Sequence, residues 1–382
     1  MQTVETKPAT PRPLVLAVPG LEMHFRGDSR VANNPQSGVG RVFASLQEAW
    51  GERVRLVGAS LEAPNLPLLR NLPRRVRLSE QADWVFLPRT MGATALQNTG
   101  GIPSLAVVHD LGLLDMAFSG DRPVDWWSHQ VQMAHFRAVR HATRIITVSE
   151  FTRERLLHHF PQLEGRVRVA PNGVSLAFLN YRRSQPEALA RLRVNVPGVN
   201  GEPLLLYVGS ESPRKNLPLL FRVLRELKER YPKAQLLKIG KSDHPQFRQE
   251  MLESLKISRL ELGRDVLLLE GPDDDLLLDA YRAADVLVST SLYEGFGLPA
   301  LEALAVGTPV VVTNRASFPE VVGGLGATVE PRVDAFVQRL ETLLHHPPSE
   351  VWREAARAHA ARFSWKASAE KYLEILKGGR SA

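Results

Sequence analysis

The sequence has no cysteine among its 382 residues, which excludes disulfide bonds, cysteine-based metal sites and thiol catalysis. It also has no apolar run near the roughly 18 residues of a membrane-spanning helix. Residues 1–12 lack the apolar centre of a signal peptide, so we expect a disordered leader there and a cytoplasmic protein. Because zinc knuckles, RNA-binding aromatic patterns and long basic tails are also missing, nucleic acid is not an expected partner.

Positive charge is in modest excess, with a formal net charge of +7 at pH 7. Most of the excess lies in the first half of the chain, which contains a cluster of four arginines: Arg70, Arg74, Arg75 and Arg77. Such a cluster either attracts an anionic partner or forms an ordinary solvated face. Peripheral contact with the inner face of an anionic membrane is therefore an open alternative at this point.

The length of the chain predicts two domains, because 382 residues exceed one ordinary core and 44% of them are apolar. Short apolar runs alternate with helical segments in both halves, which is typical of parallel α/β sheets. The predicted buried strands are residues 14–18, 54–57, 84–87, 104–108, 144–148, 204–208, 235–240, 266–269, 286–288, 309–312 and 325–329.

Residues 285–312 are the segment around which the second half is organised. They predict a buried strand, a loop containing Gly295 and Gly297, a short helix that ends at Gly307, and another strand. Because the loop follows a parallel strand, it lies at the carboxyl edge of the sheet. Open α/β sheets bind their ligands at that edge.

Two carboxylates belong to this segment. Glu294 precedes the glycine loop, and Glu302 lies one turn into an otherwise apolar helix. An unpaired charge in such a buried helix costs several kcal/mol, so Glu302 needs a partner. Either Glu302 supports the N-terminal end of the helix, or both carboxylates accept hydrogen bonds from sugar hydroxyls.

The segment from Glu294 to Glu302 reads EGFGLPALE and resembles the Glu-x7-Glu signature of family-4 retaining glycosyltransferases. The similarity continues through residues 307–310 and 317–321, and the mannosyltransferase-like group is the nearest in character. The resemblance implies an α/β protein with the GT-B fold, in which two doubly wound Rossmann-like domains face each other across a cleft.

The domain boundaries follow from the same resemblance. After the leader, it implies an acceptor-side domain at residues 13–175 and a nucleotide-sugar domain at 176–364. Residues 365–382 then form a C-terminal helix that returns to the first domain. The charged segment 20–36 is expected to shape the acceptor pocket.

The resemblance assigns roles to charged residues at the predicted ligand edges. Glu294 would contact the donor sugar, and Glu302 would hold the ribose of the nucleotide. Arg214 and Lys215 follow the predicted strand 204–208 and would neutralise the donor diphosphate, although adjacent cations are often simply solvated. Asn216 is the predicted N-cap of the next helix.

A His-Asp pair follows the predicted strand 104–108. A lone His at a strand end is usually structural, and a metal-bound pair would need further ligands that the sequence does not supply. The resemblance implies a catalytic His109 near the donor sugar, with Asp110, Glu150 and Arg41 on the acceptor side. The resemblance also implies donor binding by Gly38, Gly40, Gly209, Gly271, Phe296, Gly297 and Leu298. Glycine at a strand-to-helix crossing lets backbone amides approach a phosphate, although on its own such a glycine pattern is weak evidence.

The expected reaction moves a mannose- or glucose-type hexose from a nucleotide-diphospho-sugar to a glycan, lipid-linked or small-molecule acceptor, as in cell-envelope polysaccharide synthesis. No metal or other cofactor is expected. The acidic run at residues 273–275 looks like a metal site, but consecutive acids also favour a helix start. A sugar-nucleotide epimerase or hydrolase of the same fold, or a non-catalytic sugar-nucleotide-binding protein, is the alternative.

Overall fold

The computed structural model describes residues 12–19, 38–62, 72–116, 126–242 and 244–378. Several predictions fall outside these ranges: the leader before Arg12, the segment 20–36 and Arg70. The predicted strands and the predicted site residues all lie within the described ranges.

The first half of the chain builds one mainly parallel sheet. Its strands are β1 Leu14–Pro19, β2 Val54–Glu62, β3 Arg75–Leu78, β4 Trp84–Leu87, β5 Ser104–Val108, β6 Arg144–Thr147 and β7 Val167–Val169. They lie in the order β3-β2-β1-β4-β5-β6-β7, and only β3 runs antiparallel to its neighbour. The central strands β4 and β5 are buried along their whole length, as continuous apolar runs predict.

The arginine cluster of the first half contributes an edge strand that the sequence did not predict. In β3 the side chain of Val76 is buried, whereas Arg75 and Arg77 face solvent. Arg77 pairs with Glu62 of β2 at 2.6 Å. Charged side chains on an edge strand discourage pairing with other chains. They also make this four-residue strand so short and polar that its sequence does not indicate a strand.

The second half builds a wholly parallel sheet. Its strands are β8 Leu204–Val208, β9 Gln235–Ile239, β10 Val266–Leu269, β11 Val286–Ser289, β12 Val310–Thr313 and β13 Ala327–Val329, in the order β10-β9-β8-β11-β12-β13. Chain order reverses between β8 and β11, which are hydrogen-bonded neighbours. Ligands in doubly wound folds bind at such a switch point.

Helices cover the sheets. Those within the described residues are α1 Gly38–Trp50, α2 Gly112–Met116, α3 Trp126–Ala138, α4 Glu150–His159, α5 Leu176–Leu179, α6 Gln185–Asn195, α7 Leu217–Leu227, α8 Pro245–Ile257, α9 Asp274–Ala283, α10 Leu298–Val306, α11 Phe318–Val322, α12 Val333–His345, α13 Glu350–Ala361 and α14 Trp365–Gly378. None of these is both long enough and apolar enough to traverse a bilayer.

The last helix returns to the first half of the chain, as expected. Trp50 at the end of α1 packs edge-on against Tyr372 of α14, with 5.8 Å between ring centroids. The chain reaches the first half at Trp365, whose backbone packs directly against Gly173. A Cβ at Gly173 would lie 2.2 Å from the Trp365 nitrogen, so this contact requires glycine. The structure is therefore the predicted α/β fold of two Rossmann-like units.

Candidate functional site

Arg214, Lys215 and Glu294 form one cluster, called here the donor-side cluster. Lys215 Nζ lies 2.5 Å from Glu294 Oε1, and Arg214 Nη1 lies 3.3 Å from Glu294 Oε2. The cations follow β8 and the acid follows β11, and these strands are neighbours whose carboxyl ends meet at the switch point. The sequence predicts that these three residues lie at the ligand-binding edge of the sheet, and in the structure their side chains form ion pairs.

Burial and the neighbouring charges have opposite effects on the pKa of Glu294, the acid of this cluster. The side chain of Glu294 is only 13% exposed, and burial alone would raise its pKa. The neighbouring charges of Lys215 and Arg214 outweigh burial and hold the pKa of Glu294 below its usual value. The cluster is therefore a carboxylate between two cations at neutral pH, with a net positive charge available to an anionic ligand.

The turn that carries the two cations differs from the prediction in one respect. Pro213–Lys215 is a single 3₁₀ turn, and Asn216 adopts a left-handed conformation with φ 52°. Asn216 occupies the N-cap position of α7, as predicted, but its side chain makes no capping hydrogen bond. Asparagine still suits the position because it tolerates this conformation better than most residues.

The buried carboxylate of Glu302 has a hydrogen-bond partner, as predicted. The Tyr281 hydroxyl of α9 donates a hydrogen bond to Glu302 Oε2, and burial followed by the Glu302 charge raises the pKa of Tyr281. Arg41 Nη1 of α1 lies 3.9 Å from Oε1. Arg41, expected on the acceptor side, thus lies beside a residue expected to bind the donor.

The His-Asp pair lies at the end of β5, next to the glycine loop of the second sheet. His109 Nε2 is 2.7 Å from the Pro88 carbonyl oxygen, so Nε2 carries a proton and donates it. Burial lowers the pKa of His109, which favours the neutral ring. Asp110 Oδ1 accepts a hydrogen bond from the Gly112 nitrogen at 3.1 Å.

The glycine loop needs glycine where it meets the first sheet. A Cβ at Gly295 would lie 1.7 Å from the His109 carbonyl oxygen. The Gly295 carbonyl accepts hydrogen bonds from Ser149 Oγ at 2.6 Å and from Thr152 Oγ1 at 3.2 Å. Any side chain at this position would therefore separate the His109 strand end from the loop that carries Glu294.

A second link between the two halves uses Tyr293, the residue before Glu294. The Tyr293 hydroxyl donates to Asp115 Oδ2 at 2.6 Å. Burial alone would raise the pKa of Asp115, but hydrogen bonds from Arg155, Tyr293 and His159 lower it to about 2. Sequence reasoning missed this network, since nothing in the spacing of Asp115 and Tyr293 signals their contact.

Glu150 takes part in a third link, but through its backbone. The carboxylate of Glu320 accepts hydrogen bonds from the Glu150 nitrogen at 3.0 Å and the Phe151 nitrogen at 3.3 Å. A carboxylate is favoured there because the first turn of α4 has free N–H groups and a partial positive charge. The Glu150 side chain itself is exposed and lies 3.6 Å from Arg153.

Most of the expected donor-binding glycines lie at helix starts or strand ends. Gly38 and Gly40 are in the first turn of α1, Gly209 directly follows β8, and Gly271 follows β10. Gly297 precedes α10 with φ 96°, a left-handed conformation that favours glycine. These are positions where backbone N–H groups can approach a phosphate closely.

The two apolar members of the set differ from the glycines. Phe296 is only 4% exposed and packs edge-on against Phe363, with 5.8 Å between ring centroids. Its side chain therefore belongs to the core, and its backbone is the part that can face a ligand. Leu298 is partly buried and is the first residue of α10.

The acidic run at residues 273–275 begins a helix, as predicted. Asp273 is the N-cap of α9 and accepts a hydrogen bond from the Leu276 nitrogen at 2.8 Å. Within the described ranges, no three His, Asp or Glu side chains gather as they would around a metal ion.

Comparison with known families matches both halves of the chain. Residues 36–178 match the model described as Glycosyltransferase Family 4, and residues 192–359 match Glycosyl transferases group 1. O-antigen chain mannosyltransferase B of Escherichia coli is 33% identical over 62% of this chain and 61% of its own length. D-inositol 3-phosphate glycosyltransferase of Rhodococcus jostii is 30% identical, over 78% and 64% respectively. The chain thus spans about three fifths of the length of these relatives.

Solved structures agree on the fold. Sucrose-phosphate synthase of Thermosynechococcus elongatus superposes with a TM-score of 0.72 at 22% identity, covering 96% of this chain and 98% of that one. HepE of Anabaena, solved in complex with UDP-glucose, gives 0.73 at 15% identity, covering 96% and 100%. The two sheets, the switch point and both family matches lead to one assignment. The chain belongs to the family-4 glycosyltransferases and has the GT-B fold.

Proposed function

We propose that this glycosyltransferase is a retaining, metal-independent hexosyltransferase. It moves a mannose- or glucose-type hexose from a nucleotide-diphospho-sugar to a carbohydrate, lipid-linked or small-molecule acceptor. The observation that carries the proposal is the donor-side cluster, in which two cations and a carboxylate meet at the switch point. The names of its relatives, a mannosyltransferase and an inositol phosphate glycosyltransferase, support the hexosyl class.

The two cations stabilise the leaving group in this proposal. Negative charge grows on the nucleoside diphosphate as the bond to the sugar breaks. Cations fixed at that position therefore stabilise the transition state more than the bound donor. Hydrogen bonds to Glu294 hold Arg214 and Lys215 in place. The amides at the start of α10, near Gly297 and Leu298, add further positive potential.

Glu294 and Glu302 then divide the donor between them. Glu294 contacts the sugar, next to the cations that hold the diphosphate. Glu302 binds the ribose through Oε1, because Oε2 already accepts the Tyr281 hydroxyl. Tyr281 thus orients the carboxylate, and the sequence could predict only that some such partner exists.

The acceptor approaches from the first domain. His109, neutral because burial lowers its pKa, lies near the donor sugar, and Asp110 and Glu150 lie toward the acceptor. Substitution occurs on the same face of the sugar, and the departing phosphate takes the acceptor proton. We assign residues 13–175 to the acceptor side, 176–364 to the donor side and 365–382 to the returning helix. The protein would act in the cytoplasm, at times against the inner face of the membrane, in making cell-envelope polysaccharide.

The reaction can be tested by incubating the protein with candidate nucleotide sugars and measuring nucleoside diphosphate release, with and without acceptors. Release that requires an acceptor, with the anomeric configuration retained by NMR, is the expected result. Release without an acceptor would instead identify a hydrolase or epimerase. Binding without release under any condition would identify a non-catalytic protein and overturn the proposal.

Glu302→Ala is expected to weaken binding of the nucleoside diphosphate alone, by about tenfold to a hundredfold, because hydrogen bonds to a charged group are lost. Titration calorimetry with a panel of nucleoside diphosphates measures this effect without the sugar. Glu354→Ala, which removes an exposed acid of α13, is the matched control. Unchanged affinity in Glu302→Ala would refute the ribose role.

Activity is expected to survive chelation, because Arg214 and Lys215 offset the charge that a divalent cation would otherwise offset. The measurement compares turnover before and after dialysis against EDTA, with manganese or magnesium added back in parallel. A loss of activity that either cation restores would contradict the metal-independent mechanism.

A further inference from the structure

A cavity of about 370 Å³ lies in the first domain, apart from the donor-side cluster. Three segments form its walls: the residues before β3, the 3₁₀ turn Ala93–Gln97, and the end of α3 with the turn that follows it. Its polar lining consists of Arg74, Thr94, Gln97, Arg137, Arg140 and His141. One leucine and two alanines supply the apolar part of the wall. We call it the basic cavity.

The basic cavity collects positive charge that no carboxylate in the described ranges neutralises. The lining residues that the structure describes include three arginines and one histidine but no aspartate or glutamate. Within the described part of the chain, Arg74, Arg137 and Arg140 make no ion pair with a carboxylate, whereas the nearby Arg77 pairs with Glu62 at 2.6 Å. The arginine cluster seen in the sequence therefore divides, with one member neutralised and another facing the basic cavity.

The turn Val139–His141, which carries Arg140 and His141 of the cavity lining, is held in place by hydrogen bonds. Arg166 Nη1 donates hydrogen bonds to the carbonyl oxygens of Arg140 at 2.8 Å and of Ala142 at 3.1 Å. Arg140 Nε lies 3.4 Å from His141 Nε2. Partial burial, followed by the charges of Arg140 and Arg166, lowers the pKa of His141, as a local excess of positive charge should.

We propose that the basic cavity binds a phosphate monoester carried on a small organic group. The planar guanidinium of an arginine can donate two hydrogen bonds to two phosphate oxygens. Three arginines on two walls of the cavity can therefore bind all three terminal oxygens of a phosphate monoester. The Gln97 amide adds a neutral donor, and the apolar wall accommodates the organic part. A volume of about 370 Å³ lies in the range of small-molecule sites and exceeds what a bare phosphate fills. This binding does not require that the protein transfer a sugar.

The same phosphate chemistry could come from a soluble ester or from a lipid headgroup, so the experiment has two arms. The first titrates the full-length chain with glycerol 3-phosphate, with glycerol and inorganic phosphate for comparison. The second measures flotation with phosphatidylcholine vesicles that contain or lack phosphatidic acid. Binding of both phosphate forms, or of only one, supports the site and identifies its source.

Charge variants link either result to the basic cavity. Arg137→Gln and Arg140→Gln are each expected to weaken binding of the phosphate ester by about tenfold. The isosteric Gln97→Glu, which adds an acid without removing any arginine, should weaken it similarly. Arg55→Gln, at an exposed arginine paired with Glu80, is the matched control and should bind normally.

Three results would overturn the proposal. The first is the absence of phosphate-dependent binding in both arms. The second is binding that all three cavity variants retain at the strength of Arg55→Gln. Lys215→Ala separates the two sites, since it should leave binding in the basic cavity intact, and loss of binding in that variant alone would assign the ligand to the donor site and also refute the proposal.

Discussion

Replacing Lys215 by alanine is expected to lower turnover by about a hundredfold to a thousandfold while changing donor affinity only a few-fold. The reason is that charge on the diphosphate grows along the reaction, so a fixed ammonium stabilises the transition state more than the bound donor. Lys215 is mostly buried and lies 2.5 Å from Glu294, which gives it little freedom to move. Steady-state kinetics and a separate donor titration measure the two effects.

The control for this variant is Lys256→Ala, which removes an exposed lysine of α8 and should change neither quantity. A further consequence of Lys215→Ala concerns Glu294 itself. Lys215 is the larger of the two charge effects that lower the pKa of Glu294, so the pKa of this acid should rise in the variant. Equal losses in donor affinity and in turnover would show that Lys215 acts in ground-state binding alone, contrary to the proposed role.

Continuous apolar runs made the central strands predictable. The strands at residues 84–87 and 104–108 were predicted with their observed ends, because buried parallel strands need little else than apolar residues. The edge strand β3 was not, since its alternating Arg and Val carry weak information without knowledge of its partner β2. Sequence pattern therefore predicts what is buried on both faces better than what lies at an edge.

The candidate site divides in a similar way. The rule about sheet edges placed Arg214, Lys215 and Glu294 at ligand-binding edges, and the resemblance to the family assigned them to one donor. The burial of Glu302 required a partner, yet only the packing of α9 against α10 identifies Tyr281. Contacts of this kind depend on how separate elements meet, and no local periodicity records them.

The contacts between the two halves lie furthest beyond sequence reasoning. Tyr293 bonds to Asp115, and Glu320 binds the first turn of α4, although 178 and 170 residues separate the members of these pairs. Their chemistry is ordinary: a hydroxyl on a carboxylate, and a carboxylate at a helix N-terminus. What the sequence does not contain is the relative position of the two sheets, which only the folded chain supplies.

A buried ion pair lies beneath the loop that carries the donor-side cations. Lys238 of β9 and Glu211, which follows β8, have side chains that are 1% and 0% exposed, and their charged atoms are 2.6 Å apart. Arg248 of α8 also binds Glu211, through Nε at 2.8 Å, and Lys238 Nζ donates to the Gly240 carbonyl at 2.5 Å. Because Glu211 precedes Arg214 by three residues, this network anchors the cation-bearing turn.

Glu211→Ala is expected to destabilise the protein by about 3–5 kcal/mol, because it leaves the ammonium of Lys238 buried without its counter-charge. Thermal unfolding followed by circular dichroism should show a fall of roughly 10 °C in the melting temperature of the second domain. Burial already lowers the pKa of Lys238 below 10.5, and Glu211 opposes that effect. Without Glu211 the folded-state pKa falls further, so the deficit should shrink as pH rises and Lys238 loses its proton.

The matched control is Glu270→Ala, since Glu270 also pairs with Arg248 but is 39% exposed, and removing an exposed partner costs at most about 1 kcal/mol. The double variant Glu211→Gln with Lys238→Met should recover much of the lost stability, because it removes the stranded charge rather than only its partner. A loss in Glu211→Ala no greater than in Glu270→Ala would contradict this account. So would a double variant no more stable than Glu211→Gln alone, since burial of an unpaired ammonium would then not be the cause.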